Sequence, residues 1–179
     1  MAAFLWIFWS FSLLGWVLER LFAAVTRSPR RRRRCLLLLP LCPVYGLGMA
    51  AVLALPPSLR SGWPLYLWGG LTATSVEYIY HWWGETFLSV SFWDYTGVFG
   101  NLRGRVCLPF SLAWGLLLFP AVYLVTPPVL ALADRVPVGV TWWLLLAFTA
   151  DAVCSLRFLA VTHDLEALRA VIWPVSADR

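Results

Sequence analysis

The stretch AFLWIFWSFSLLGWVLERLFAAV, residues 3–25, decides the fold class, because nearly all of its residues are apolar. A helix needs about 20 such residues to cross the hydrocarbon core of a bilayer. The run is continuous and lacks the alternation of a membrane barrel strand. No basic region precedes it, and Glu19 and Arg20 interrupt its end, so we expect a retained helix rather than a cleaved signal peptide.

Apolar runs of the same kind fill most of the chain. The 179 residues are 61% hydrophobic, with a mean hydropathy of +0.75, whereas a soluble domain is only about half apolar. The length rule gives five predicted spans: residues 3–25, 35–56, 64–90, 105–126 and 138–161. The sequence therefore predicts an all-α, polytopic transmembrane helix bundle of about five helices, which forms one integral-membrane domain over residues 1–179.

The basic residues predict the orientation of this bundle. All fourteen are Arg, and six of them lie in Arg27–Arg34. Such clusters stay on the cytoplasmic side, so we expect the N-terminus outside, this loop inside and the C-terminus in the cytoplasm. The predicted location is the plasma (inner) membrane. Because topology accounts for the net charge of +5, a nucleic-acid partner is not expected, and the bilayer itself is the first partner.

Two pairs of short strings recur in the same order. WVLE at Trp16–Glu19 is echoed by WWGE at Trp82–Glu85, and LPLCPVYG at Leu39–Gly46 by LPFSLAWG at Leu108–Gly115. We interpret them as a parallel internal repeat in which spans 1–2 correspond to spans 3–4. This interpretation makes Glu19 and Glu85 equivalent. Internal repeats are common in transporters, whose sites lie at the repeat interface.

The third span carries an unusual polar face. Glu77, His81 and Glu85 follow one another at intervals of four residues, so they lie on one side of a helix. A carboxylate in a bilayer is costly and is usually functional. Glu77 and Glu85 are about 12 Å apart along a straight helix and cannot share one ion without other helices. A proton relay or a polar substrate path is therefore favoured over a metal site, and no cofactor is predicted.

The second span contains residues that break helices. Pro40 and Pro43 lie in its first half, followed by Tyr45 and Gly46. Proline removes a backbone donor, and in lipid the freed carbonyls must find partners. We therefore expect this segment to be buried in protein or to line a polar cavity.

The segment SFWDYTGVFGNLRG, residues 91–104, is too polar and too rich in Gly for a lipid-exposed helix. We interpret it as a structured cytoplasmic loop that leads into the fourth span. Asp94 and Arg105 are a candidate ion pair across it, and the alternative is an ordinary inner loop in which the pair is solvated.

These features define the candidate residues. The predicted transport site comprises the polar side chains of the cytoplasmic half: Glu19, Glu77, His81, Glu85, Asp94, Asn101 and Arg105. The predicted helix-break and packing residues are Pro40, Pro43, Tyr45, Gly46 and Gly104. The chain has no Lys and hence no phosphate-binding loop of the Gly-Lys type, so any ATP must be bound by another chain.

Four ordered motifs resemble a known family. They are FSLLGWVLE (residues 11–19), PLCPVYGLG (40–48), EYIYHWWGE (77–85) and WDYTGVFGNLRGRVCL (93–108). The chain resembles the CmpB-like family of type IV ABC-transporter permeases, which are small bacterial multi-pass membrane proteins. The resemblance extends from about Ser10 to Ala121. Leu39 and Thr96 depart from the pattern, in which Gly and Ser are expected, and neither change affects an acidic position.

The resemblance implies a membrane transport component without naming a substrate. A separate ATPase subunit and a second copy of the chain are both candidate partners. Two alternatives stay open. One is a membrane enzyme acting on a lipid or lipid-linked headgroup at the cytoplasmic face, with Glu85 or Asp94 as the base and Arg103 and Arg105 holding a phosphate. The other is a structural or regulatory membrane protein without chemistry.

Overall fold

The computed structural model describes residues 2–26 and 35–170, so the predicted arginine loop at 27–34 lies outside the described residues. This part of the chain forms six helices, which are joined by irregular segments and a 3₁₀ turn at Pro57–Leu59. The helices are α1 (Ala2–Thr26), α2 (Pro43–Ala54), α3 (residues 62–88), α4 (Leu108–Arg135), α5 (Val138–Thr162) and α6 (Leu165–Ala170). The described residues contain no strand, and the all-α prediction is confirmed.

Three of the described helices are long and apolar enough to cross a membrane: Ala2–Val25 within α1, Leu108–Arg135 and Val138–Thr162. They confirm the predicted transmembrane helix bundle. Helix α3 is also long, but it carries the predicted polar face, and α2 has only twelve residues. The five-span boundaries and the single domain remain predictions.

The second predicted span is helical only in its second part. Residues 35–42 are irregular, and α2 begins at Pro43. Proline suits the first turn of a helix, where its missing N–H has no intrahelical partner to lose. Pro40 precedes it by three residues and lies exposed in the irregular segment.

The amides of this irregular segment bond to distant parts of the chain. Leu38 N and Leu39 N donate to the two carboxylate oxygens of Asp151 in α5, at 3.1 and 2.9 Å. Cys42 N donates to the carbonyl of Ser12 in α1, at 2.9 Å. Backbone at membrane depth must be satisfied by protein, and α1 and α5 supply these partners, although Leu39 and Pro40 themselves stay exposed.

Helix α4 extends beyond its predicted end at residue 126. It continues through Pro127 and Pro128 to Arg135. A π-helical turn, Ala121–Val125, follows Pro120 and widens the helix where proline cannot donate. The Thr126 hydroxyl donates to Ala121 O at 2.8 Å. The prolines therefore change the hydrogen-bond pattern within one continuous helix, and they do not end the helix.

Helices α1 to α4 contact one another in chain order, and α1 returns to the last part of α4, Thr126–Arg135. Glycine permits the closest approaches. A Cβ added to Gly46 would lie 2.4 Å from Phe8 O, and one added to Gly115 would lie 2.8 Å from Tyr66 O. Small residues at such contacts let helix backbones approach closely in membranes.

Helix α5 lies at the edge of this bundle and touches α1, α6 and the end of α3. Few of its residues are buried, and polar contacts hold it near its start, at its middle and just after its end. Trp6 Nε1 donates to Thr141 Oγ1 at 3.1 Å, Asp151 accepts the two amides described above, and His163 Nδ1 lies 2.7 Å from Leu88 O.

Candidate functional site

Glu77 is the most deeply buried carboxylate of the described residues. It lies in the middle of α3 and is 2% exposed. Trp114 Nε1, from α4, donates to its Oε2 at 2.7 Å, and the Tyr95 hydroxyl, from the loop after α3, donates to its Oε1 at 3.4 Å. A carboxylate in apolar surroundings needs such donors to offset the loss of water. Three separate segments therefore meet at Glu77.

Glu19 has a matching environment. It is 9% exposed on α1 and accepts a hydrogen bond from the hydroxyl of Tyr45 in α2. The rings of Tyr45 and Trp114 pack edge to face, with centroids 5.2 Å apart. Each buried glutamate is thus held by an aromatic donor from the next helix, and the two donors touch.

These contacts bear on the predicted internal repeat, because they make the surroundings of Glu19 resemble those of Glu77. Tyr45 and Trp114 occupy the same position in LPLCPVYG and LPFSLAWG, but the partner of Trp114 is Glu77. Glu77 follows Tyr66 by the same eleven residues that separate Glu19 from Phe8, the two residues against which Gly115 and Gly46 pack. The repeat and the equivalence of Glu19 with Glu85 stay predictions, and these contacts offer Glu77 as an alternative equivalent.

Glu85 belongs to a second polar group, near the end of α3. Arg105 Nε donates to Glu85 Oε2 at 2.7 Å and its Nη1 donates to the Tyr78 hydroxyl at 2.8 Å. The guanidinium carbon also lies 5.0 Å from the centroid of the Tyr78 ring. Arg105 is therefore engaged by α3, and these contacts give no support to a phosphate-binding role for it.

Asp94 does not pair with Arg105, and that prediction was wrong. Its carboxylate accepts from Thr96 N and Thr96 Oγ1, both at 2.8 Å. This local turn is typical of Asp, which readily bonds the backbone two residues on. The hydrogen bonds from Thr96 lower the pKa of the exposed Asp94 carboxyl below its usual value.

Asn101 and Gly104 shape the same loop. Asn101 Nδ2 donates to Val98 O at 3.0 Å, and its Oδ1 accepts from Gly104 N at 3.2 Å. Gly104 has a φ of +69°, which favours glycine, and its carbonyl accepts from Tyr95 N at 2.8 Å. These contacts hold Tyr95 where it reaches Glu77.

His81 lies between Glu85 and the loop after α3. It is 2% exposed, and its Nε2 lies 3.1 Å from Ser91 Oγ. Because that hydroxyl donates to Trp93 O, the network assigns the Nε2 proton to the bond with Ser91. Its Nδ1 lies 3.7 Å from Glu85 Oε1, and its ring packs on Trp93 at 4.8 Å.

The predicted site residues do not form one cluster. The structure separates them into the buried glutamates with their aromatic donors, the group around Arg105, and the turns of the loop. Within the ranges that the structure describes, no three His, Cys, Asp or Glu side chains are grouped to hold a metal ion. Sequence reasoning missed three aromatic partners of these groups: Tyr78, Tyr95 and Trp114. All three lie in or beside the motifs of the family resemblance, which was the available signal.

Two cavities flank the contact between Tyr45 and Trp114. One has a volume of about 270 Å³ and is lined by Glu77 among largely apolar side chains of α1, α2, α3 and α4. The other, of about 210 Å³, is lined by Glu19. Tyr45 and Trp114 line both cavities. Each chamber therefore has one buried carboxylate in an otherwise mainly apolar wall.

A family model described as "Putative ABC-transporter type IV" matches residues 6–156. The chain belongs to this family. The match confirms the resemblance that the motifs predicted and extends it into α5, past Asp151. Neither a curated protein nor a solved structure matches the chain. All residues of the site described above lie within the matched range, and membership agrees with the apolar helices in indicating a membrane protein.

Proposed function

We propose that the chain is the membrane-spanning permease component of an ABC-type transporter in the bacterial plasma membrane, and that Glu77 is its central acidic residue. The observation that carries this proposal is the burial of Glu77 inside an apolar bundle, between donors from α4 and the following loop. Ionisable groups in such positions are expensive and mark substrate or ion pathways. Family membership supports the same class of function.

The remaining predicted residues have supporting roles in this proposal. Glu19 and Tyr45 form a second acid–donor pair beside the first. The pairing of Glu85 with Arg105 fixes the loop that carries Tyr95, because Arg105 O accepts from Trp93 Nε1 at 2.7 Å. The sequence without Lys cannot supply a nucleotide-binding loop of the common type, so a second chain hydrolyses the ATP.

Native mass spectrometry tests whether a separate chain supplies the ATPase. The chain carries a tag, is expressed at its natural level in its own host, and is extracted in mild detergent. We expect a complex that contains an ATPase subunit in fixed stoichiometry with the chain. Asp134→Asn, at an exposed position near the end of α4, is the matched control variant and should leave the complex intact. A homo-oligomer without any nucleotide-binding subunit, and without ATP hydrolysis, would contradict the proposal.

A further inference from the structure

The larger cavity combines apolar walls with one carboxylate. Its lining is largely apolar, with leucines from α1 and α4 and Val44 and Met49 from α2, while Glu77 contributes the acidic group. Its volume of about 270 Å³ approaches the lower end of ligand pockets, roughly 300–1,000 Å³. Such a wall suits a ligand with a hydrophobic body.

The charged side chains that line the cavity indicate whether the ligand is a cation or an anion. Among the described residues no Arg or His lines either cavity, whereas each cavity is lined by one glutamate. The rings of Tyr45 and Trp114 also face both chambers, and aromatic faces attract ammonium-type cations. The glutamates are the charged side chains of the described lining, so the complementary ligand is a cation.

The rim of the larger cavity indicates how a ligand enters. Leu14 and Leu18 of α1 and Leu117 of α4 line it and are each about 40% exposed or more. Helices α1 and α4 meet at Thr126–Arg135 of α4 and again where the Phe22 and Phe110 rings lie 5.9 Å apart. The opening thus lies between two apolar helix faces, where the surrounding medium is lipid.

We infer that this cavity binds a lipophilic cation, an ammonium or phosphonium group on a hydrophobic body, which enters sideways from the bilayer and is held by Glu77, Tyr45 and Trp114. This inference rests on the proposed transport function and names the class of its substrate. The bound cation lies against the carboxylate, while its hydrophobic body occupies the apolar chamber and extends through the open rim toward lipid. No covalent step is involved.

Two probes of matched shape and opposite charge test the inference. The chain alone, in nanodiscs of phosphatidylcholine, is dialysed against radiolabelled tetraphenylphosphonium or tetraphenylborate, with empty nanodiscs as the baseline. We expect saturable binding of one phosphonium per chain and no saturable binding of the borate. Equal binding of both ions, or preference for the borate, would overturn the inference.

Two variants locate the bound cation. Glu77→Gln should lower the affinity for tetraphenylphosphonium at least tenfold, whereas Asp134→Asn should leave it unchanged. Gly48→Leu provides a second test that keeps both carboxylates. Gly48 is buried and lines the cavity, and a Cβ added there meets nothing within 4 Å, so the leucine should fill the chamber and abolish binding in a folded protein. Undiminished binding in Gly48→Leu would place the cation elsewhere and overturn the inference.

Dialysis separates this inference from the proposed function, because it uses the chain without partners. If the chain did not bind the phosphonium, the inferred ligand class would be wrong, but the proposed complex with an ATPase would still stand. Absence of an ATPase subunit would remove the transporter assignment and leave the binding result standing.

Discussion

At the scale of single residues, the hydrogen bond from Trp114 to Glu77 is the contact on which most of the site depends. It joins α4 to α3 across an apolar interior, and its acceptor is buried. Trp114→Phe keeps most of the ring but removes this donor. A buried acceptor that loses its partner costs about 1–3 kcal/mol, so we expect the free energy of unfolding to fall by that amount in detergent titrations with denaturant.

The control for this variant is Trp143→Phe. Trp143 is 73% exposed on α5, at a distance from the glutamates in the fold, and its replacement should leave the unfolding midpoint nearly unchanged. If Trp114→Phe were as stable as Trp143→Phe, the bond to Glu77 would contribute nothing to stability, and the central contact of the site would be in doubt.

At the scale of helices, two glycines lie in tight contact with a neighbouring helix and a third borders open space. Gly46 and Gly115 each lie against a backbone carbonyl of the preceding helix, whereas Gly48 faces the cavity. We expect Gly46→Ala and Gly115→Ala each to lower stability by about 1–3 kcal/mol through overpacking. Gly48→Ala should raise it by about 0.5–1 kcal/mol, because alanine favours the helix. Thermal unfolding of the three variants measures the difference, and equal midpoints would refute the close contacts.

Asp151 ties α5 to the irregular segment before α2. Its two oxygens accept from Leu38 N and Leu39 N, and Ser155 Oγ donates to it at 2.9 Å. Asp151→Ala should free both amides and speed their hydrogen exchange about ten- to a hundredfold, as expected when one or two hydrogen bonds are lost. Ser155→Ala, which leaves both amide bonds in place, is the control. Unchanged exchange at residues 38 and 39 in Asp151→Ala would contradict this role.

The sequence predicts helices better than it predicts their ends or contacts. Apolar length identified α1 and α5 within a few residues, and four-residue spacing placed Glu77 and His81 on one buried side of α3. The irregular course of residues 38 and 39 depends on Asp151, more than a hundred residues away. No local pattern reveals such a bond.

The partners of the polar side chains were equally hard to predict. Arg105 had two carboxylates near in sequence, and the turn made by Asp94 with Thr96 left Glu85 as its partner. Local strings favoured Glu85 as the equivalent of Glu19, whereas the packing of Gly46 and Gly115 on their helices favours Glu77. The equivalence itself stays a prediction. Register is a property of contacts between helices, and short identities along the chain do not determine it.

At the scale of the whole molecule, the arrangement of charge sets the orientation. Six arginines between α1 and α2 predict that this loop is cytoplasmic and that the C-terminus lies on the same side. A green fluorescent protein fused to the C-terminus should therefore fluoresce, and an alkaline phosphatase fused there should be inactive. The opposite pattern of reporter activity would invert the proposed topology.

We propose that Glu77 acts in transport as well as in packing. The most direct measurement is ATP hydrolysis by the complex isolated with the chain, compared between wild type and Glu77→Gln. Glutamine keeps an oxygen that can accept from Trp114, so we expect a similar unfolding midpoint with at least tenfold slower hydrolysis stimulated by tetraphenylphosphonium. Unaltered stimulation in a stably folded Glu77→Gln complex would show that the buried acid only locks the bundle, and would contradict the central claim.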